Sequence, residues 1–551
     1  MNMNITVTSA LPYANGELHL GHVASTYLPA DIFVRYCRLK RYNIVYSCAT
    51  DDFGTPILIK AEQEGKHPKD YVAYWHKRDC EDFTNLGISF DIFDQTSSDE
   101  NIRFVQYVFK RLYENGYIYP KDVVQFYCQY DKKFLPDRYV IGRCPYCNAD
   151  DQYSDICEQC GRVPEEILEP KCAICRNPPI KKSSKHYFFK LSAFSSRLKE
   201  WLIKNENLQK DIKNYVLRWI EEGLQDWDIT RDITWGVPIP LEEAEGKVLY
   251  GWFDNHLCYI SSTLKYFNSK GIDGKEFWNS SIIYHFIGKD IVYHHYLFLP
   301  AMRMGIDEEY KLPDYIPTRG HLMLQNQKIS KSRNWYISLR DFLSLYPADY
   351  LRFYMASITP YSQEDLNFDW DEFAARINNE LIANIGNFIN RALSFTNKKF
   401  DSIVPEPSEY DSLDNNIIDS IKSIADEVGS LIFNNELDKG LKKILAFSNT
   451  LNQYFQAKEP WSDREKAKNC IYISVNAVRS LAILIAPYLP FSAENIWMQL
   501  NLKGSVFNED WDSASKMLIK PNHRINKAKP LFKKVEEKDI EEQKKRLGVK
   551  V

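Results

Sequence analysis

Pro12-Tyr13-Ala14-Asn15-Gly16-Glu17-Leu18-His19-Leu20-Gly21-His22 follows an alternating β-branched run, Ile5 to Ala10, and leads into a helical apolar pattern from Val23 to Arg38. The reading is strand, tight turn, helix start. A helix N-terminus after a parallel strand offers unpaired N–H groups and the positive end of the helix dipole, which together seat a phosphate chain. His19 and His22 stand three apart, so both can face that seat. Gly21 between them removes a side chain where a flat base or ribose would approach. Alone, His-x-Gly-His is a short motif, and paired histidines on a helix also serve as hydrogen-bonded core or surface residues.

Its partner lies far downstream, in Lys328-Ile329-Ser330-Lys331-Ser332. A lysine ammonium is a compact charge on a flexible stem, so two of them flanking a serine in a loop suit a triphosphate. Read alone, this pentapeptide is a solvated basic turn; read with the histidines, in this order, it predicts one nucleotide site made from both. The two motifs resemble the HIGH and KMSKS signatures of class I aminoacyl-tRNA synthetases. Ala10 to Gly16, Phe134-Leu135-Pro136-Asp137-Arg138 and His285-Phe286-Ile287-Gly288-Lys289-Asp290-Ile291 narrow the resemblance to the methionyl-tRNA synthetases, over nearly the whole chain.

Composition sets the bounds. The 551 residues allow several domains and a large core; 44% are hydrophobic, 26% charged and 14% aromatic, a soluble globular profile rich in aromatics. A net charge of -4 excludes a polycation that binds nucleic acid with its whole surface, so any RNA must be met by local patches. The N-terminus shows no charged leader with an apolar run, and the longest apolar run, near Leu481 to Ala486, is too short to span a bilayer; a cytoplasmic protein without membrane contact is expected. Twelve cysteines in such a chain read as metal ligands or buried thiols.

The expected fold is α/β: a Rossmann-like parallel-sheet catalytic domain split by a zinc-binding connective peptide, followed by an all-α helical bundle that binds the anticodon. Residues 1–116 form the first catalytic half. The apolar strand Ile44 to Ala49 ends at Asp51, where the carboxyl end of a parallel strand opens on a ligand crevice, so Asp51 can meet a substrate cation; it also suits a helix cap. In residues 117–228 the composition turns to cysteine, proline and charge. Cys144, Cys147, Cys157 and Cys160 make two Cys-x2-Cys knuckles with the spacing of a tetrahedral zinc site. Cys172 and Cys175 form a third, and Cys128 with Asp131 carries an aspartate where the fourth would have its second cysteine. An outer zinc on three cysteines and one aspartate is chemically reasonable, and a decayed site with free thiols is the alternative. Four protein ligands leave no open position, so both sites read as structural.

Residues 229–320 return to the catalytic fold, 321–370 hold the lysine loop and a stem-contact region, 371–520 the bundle, and 521–551 a charged tail, read as a solvated helix. Phe373, Ile377, Leu381, Ile385, Phe388 and Ala392 recur at steps of four and three, one apolar stripe. The resemblance implies the roles. His19, His22, Lys328 and Lys331 would be catalytic, and Asn15, Gly21, Gly288 and Lys331 would contact ATP, which arrives with magnesium. Asp51 would take the ammonium of methionine, and Asp290 would lie near methionine and ribose. Leu11, Tyr13, Trp252, Tyr259 and His295 would surround the thioether, which aromatic rings suit. Asn387, Arg391 and Trp461 would read the anticodon of tRNA(Met), since unpaired bases stack on aromatics. The chain departs from the family pattern Asp-Ala-Pro-x-Gly-Tyr at Asn255, His256 and Cys258, and has Leu299 where an aromatic is often found.

The expected activity is ATP-dependent attachment of L-methionine to the acceptor end of tRNA(Met) through a methionyl-adenylate, for initiation and elongation. Another class I synthetase, or a catalytically impaired zinc-containing tRNA-binding paralogue, is the rival. No appended C-terminal RNA-binding module is read, so a monomer is expected, with a separate tRNA-binding helper left open.

Overall fold

The computed structural model describes residues 3–548 except 155, 156, 158, 161, 163 and 332; Ser332 of the lysine pentapeptide, Glu158 between two cysteines, and residues 1, 2 and 549–551 lie outside the described residues. The catalytic region is built on five parallel strands: β1 (Asn4–Ser9), β2 (Asn43–Thr50), β3 (Ile92–Gln95), β4 (Ile282–Gly288) and β5 (Thr318–Arg319), in spatial order β5-β4-β1-β2-β3. Ile5 and Val7 of the central strand are fully buried, as expected of a parallel sheet covered on both faces. The chain steps from β1 through β2 to β3 on one side and places β4 and β5 on the other. The order therefore reverses between β1 and β4, and a crevice opens at their carboxyl ends.

Pairing continues one step past β1 and β2. The Asp51 amide donates to the Pro12 carbonyl at 2.8 Å and the Ala14 amide to the Asp51 carbonyl at 2.9 Å, which sets Tyr13 beside Asp51. After the motif the helix runs from Leu20 to Leu39, with a wide π-helical turn over Val23–Tyr27; such turns often mark functional sites. A second π-helical turn, His294–Phe298, follows β4.

Between β3 and β4 the chain leaves the sheet. An antiparallel ribbon, Ile118–Cys128 against Ile180–Phe189, carries at its far end a three-stranded sheet of Gln152–Tyr153, Val140–Arg143 and Leu168–Cys172, which holds the cysteine knuckles.

Beyond Trp370 the structure is helical, with Asn387–Lys399, Ser412–Phe433, Leu437–Lys458, Arg464–Ile485 and Pro490–Gln499 as its main helices. All six residues of the apolar stripe from Phe373 to Ala392 are fully buried. Successive steps of four precess by about 40° each around an α-helix. The π-helical stretch Ile377–Gly386, with more residues per turn, takes up that drift and keeps the stripe facing the core. Arg464–Ile485 is long and apolar enough to cross a membrane, but 89% of that apolar window is buried inside the bundle.

The tail differs from the solvated helix expected. Val535 and Ile540 are buried, Asn378 bonds both backbone groups of Val535, and Lys544 pairs with Asp371 at 2.7 Å. The Gly548 amide then donates to the Asn334 carbonyl at 3.0 Å, next to the lysine loop. A single apolar residue, Ile540, sufficed to dock the ten-residue helix Glu537–Arg546, whose other residues are polar or charged, which composition averages away.

Candidate active site

His19 is extended and caps the helix start. Its Nδ1 accepts the Gly21 amide at 3.2 Å, and His22 Nδ1 accepts the His19 amide at 3.0 Å. A neutral imidazole carries one N–H, so this network assigns the proton of each ring to Nε2. The rings stack with centroids 3.8 Å apart. Burial, joined by the nearby Lys331, pushes His22 down to about 3, and burial with His22 and Lys331 pushes His19 lower still. The pair are therefore uncharged hydrogen-bond donors, and the cations come from the lysines.

The lysine loop is strapped onto this turn. The Leu20 amide donates to the Ile337 carbonyl at 3.1 Å and the Leu339 amide to the Leu18 carbonyl at 2.9 Å. The Glu17 carboxylate accepts Tyr336 Oη at 2.8 Å and Ser338 Oγ at 3.0 Å. Lys331 Nζ donates to the Glu17 carbonyl at 2.8 Å and lies 3.2 Å from where a Cβ on Gly16 would stand. Any side chain at Gly16 would crowd that ammonium.

A cavity of about 790 Å³ opens at the crevice and is lined by His19, Gly21, His22, Gly288 and Lys328 at one end. Leu11, Tyr13, Asp51, Trp252, Tyr259, Asp290 and His295 line the rest of it. Asn15 and Lys331 stand outside that lining; the Asn15 carbonyl accepts Lys60 Nζ at 3.0 Å. On the floor, Asp51 Oδ2 accepts Asn255 Nδ2 at 3.1 Å while its buried Oδ1 has no partner. Burial pushes Asp51 up to about 7, Asp52 up to about 6, and Asp254, beside Asp51, well above the carboxylate range. Among the described residues no lysine or arginine pairs with these three. A primary ammonium is the complement such a floor lacks.

The apolar wall is rigidly hydrogen-bonded. His295 Nδ1 lies 3.0 Å from the Ile291 carbonyl, so it carries the proton, and Nε2 accepts Tyr259 Oη at 3.0 Å. Trp252 stacks on His294 at 4.0 Å. Of the departures from the family pattern, Asn255 and His256 line the cavity. Cys258 and Leu299 do not; each is buried, Cys258 beside Ser262 Oγ at 3.2 Å. Sequence reasoning missed His321, which lines the cavity and pairs with Asp290 at 3.1 Å. Its place two residues after β5, at the carboxyl edge of the sheet, was the available signal.

In the connective region the four sulfurs of Cys144, Cys147, Cys157 and Cys160 lie within 4.8 Å of one another. The Cys144–Cys160 and Cys147–Cys157 separations of 3.9 and 3.6 Å match the edge of about 3.8 Å implied by tetrahedral Zn–S bonds. Cys128, Asp131, Cys172 and Cys175 form a second set within the same span, Asp131 Oδ2 lying 3.1 Å from both Cys128 and Cys172. Both sets fit zinc by donor chemistry.

In the bundle, Asn387 and Arg391 stand one turn apart on Asn387–Lys399, bonded to Asn452 and Gln456 of the neighbouring helix. Trp461, 48% exposed, follows that helix and lies 6.0 Å from the Arg391 guanidinium. The three make one surface.

The model of the family described as tRNA synthetases class I (M) matches residues 5–393, and that described as the anticodon binding domain of methionyl tRNA ligase matches residues 404–550. A methionine–tRNA ligase of Methanosphaera stadtmanae is 42% identical over 98% of this chain and 82% of its own length. That of Pyrococcus furiosus is 43% identical over 97% and 76%. A solved Mycobacterium tuberculosis methionyl-tRNA synthetase in complex with methionyl-adenylate shares the fold, with a TM-score of 0.80 at 23% identity, covering 97% of this chain and all of that one.

Proposed function

The chain belongs to the class I methionyl-tRNA synthetases, methionine–tRNA ligases that consume ATP, and from that premise we propose how its own residues carry the reaction. The observation that supports the reading best is the convergence of the His19–His22 pair, the lysine loop and the buried Asp51 floor on one cavity. Asp51 holds the ammonium of methionine, which turns the substrate carboxylate toward the α-phosphate of ATP. Carboxylate attack forms the methionyl-adenylate and releases pyrophosphate. Nε2–H of His19 and His22 donate to phosphate oxygens as charge shifts onto them, and Lys328 and Lys331 supply the countercharge. Magnesium accompanying ATP would neutralise part of the phosphate charge. This is catalysis by position and electrostatics. The terminal ribose hydroxyl of tRNA then attacks the adenylate carbonyl, and AMP leaves.

Asn15 acts through its backbone at the mouth, Gly21 and Gly288 leave room for the nucleotide, and Asp290 with His321 faces ribose. Leu11, Tyr13, Trp252, Tyr259 and His295 enclose the thioether. Trp461, Asn387 and Arg391 stack on and hydrogen-bond the anticodon loop. Residues 117–228 act as the connective peptide, 321–370 as the stem-contact region and 371–520 as the anticodon domain; zinc in either cysteine set is structural, having no open ligand position. A cytoplasmic monomer serving translation suits this reading.

The test is ATP–pyrophosphate exchange across a panel of amino acids. Methionine alone should support it, and Lys331→Ala should lower the exchange rate roughly 10²–10³-fold, the scale of one lost preorganised contact, with methionine binding little changed. Exchange driven by another amino acid, or equal losses in rate and binding, would overturn the assignment.

A further inference from the structure

Asp51 has a partner that the family pattern, with alanine there, does not supply. Asn255 follows Asp254 on the short helical turn Asn255–Leu257, is buried, and lines the cavity. A carboxylate accepts, so its 3.1 Å contact with Asp51 Oδ2 orients the amide: Nδ2 toward Asp51, Oδ1 away from it. That Oδ1, like Asp51 Oδ1, is buried without a partner. The titratable groups beside Asp51 include Asp52, Asp254, Tyr259 and Tyr13, and none of these is a cation. Asp52 is already bonded to Gln95 and Ser97. A buried carboxylate among such neighbours tends to take up a proton or turn away, and both outcomes spoil it as a seat for an ammonium. The Asn255 amide opposes both, because it donates to one oxygen and cannot itself ionise; the Phe53 backbone N–H acts in the same direction, and more weakly.

We propose that Asn255 is a positioning residue for amino-acid activation: its N–H holds one oxygen of Asp51 and leaves the other, as carboxylate, for the substrate ammonium. The proposal rests on the reading of Asp51 given above. It gives the departure at this position a role of its own: an amide that tunes the floor and leaves the thioether wall unchanged. Because the bond favours ionised Asp51, its loss moves the acid limb of methionine use to higher pH.

The experiment is methionine-dependent ATP–pyrophosphate exchange against pH for the full chain, for Asn255→Ala and for the isosteric Asn255→Asp. Asn255→Ala should raise KM for methionine roughly ten- to hundredfold, the worth of one hydrogen bond to a charge. The acid limb of kcat/KM for methionine should move up by about one pH unit, while kcat and KM for ATP change by less than about threefold. Asn255→Asp, which keeps the shape and adds a like charge, should move the limb further, and it serves if the alanine variant fails to fold. A uniform fall in kcat with the limb unmoved is what a merely structural residue would give, and it overturns the proposal, as does wild-type behaviour in both variants. A full chain that shows no methionine-dependent exchange overturns the reading of Asp51 and this inference with it.

Discussion

At the residue scale the site works through groups whose charge is set by burial. The histidine pair is held neutral, so between pH 5 and 9 neither ring titrates in the free enzyme. Asp51 behaves in the opposite sense. Its folded value of about 7 lies above the ordinary 3.8, so the stability it contributes is present at low pH and is lost as pH rises through 7. An ammonium ligand binds the carboxylate alone. Methionine binding at pH 6 should therefore release close to one proton and weaken about tenfold per unit of further acidification, with no release at pH 9. Calorimetry at pH 6 in buffers of different ionisation enthalpy measures it, and identical heats in all buffers would remove Asp51 from the ammonium seat. His19 and His22 were legible in the sequence because their spacing places them. That they donate through Nε2 was not, because it depends on where two backbone amides point.

At the element scale, local chemistry wrote the cysteine knuckles plainly. Each is a short turn in which a backbone amide bonds back to the first sulfur, as Tyr146 does to Cys144 and Asp131 to Cys128. Such turns need few residues and no distant support. Which knuckle faces which is another matter, since Cys128 and Cys175 meet at 3.4 Å only because the long ribbon brings its two ends together. Protein purified without added zinc should carry two equivalents per chain by metal analysis, and Asp131→Ala should carry one; a single equivalent in the unaltered chain would show that the outer set holds no metal. The tail was misread for the reason opposite to that which made the knuckles plain: Val535 is held by Asn378, Lys544 by Asp371 and Gly548 by Asn334, all far away in the chain.

At the scale of the whole molecule, one buried ion pair links the two ends. Arg352 is fully buried and donates to Asp31 at 2.7 Å and to the Pro487 and Tyr488 carbonyls at 2.8 Å each. It thus joins the helix Leu28–Leu39, next to the nucleotide turn, to the end of the bundle helix Arg464–Ile485. Burial raises Asp31, but Arg35 and Arg352 outweigh it and hold the carboxyl at about 2. The stability that Asp31 contributes is therefore present above about pH 4 and is lost as pH falls toward 2. Arg352→Met leaves a buried carboxylate with one partner fewer and takes a donor from the Leu86, Gly87, Pro487 and Tyr488 carbonyls, at a cost of about 3–5 kcal/mol. Urea unfolding at pH 7 should show that loss, and acid unfolding should begin at higher pH; a change below about 1 kcal/mol would mean that this ion pair does not hold the halves together.

The sequence alone determined the strands at Ile5–Ala10 and Ile44–Ala49, the helix that follows the histidine turn, the knuckles and the apolar stripe, because each is written in neighbours within a few residues of one another. It also marked His19–His22 and Lys328–Lys331, the two ends of the proposed nucleotide site. Only the tertiary structure decided that Lys331 rests on the Glu17 carbonyl, that Asn255 reaches Asp51, and that Leu299 and Cys258 turn away from the cavity. Those contacts join residues far apart in the chain, and which atoms meet there depends on how whole elements pack, which spacing in a sequence does not encode.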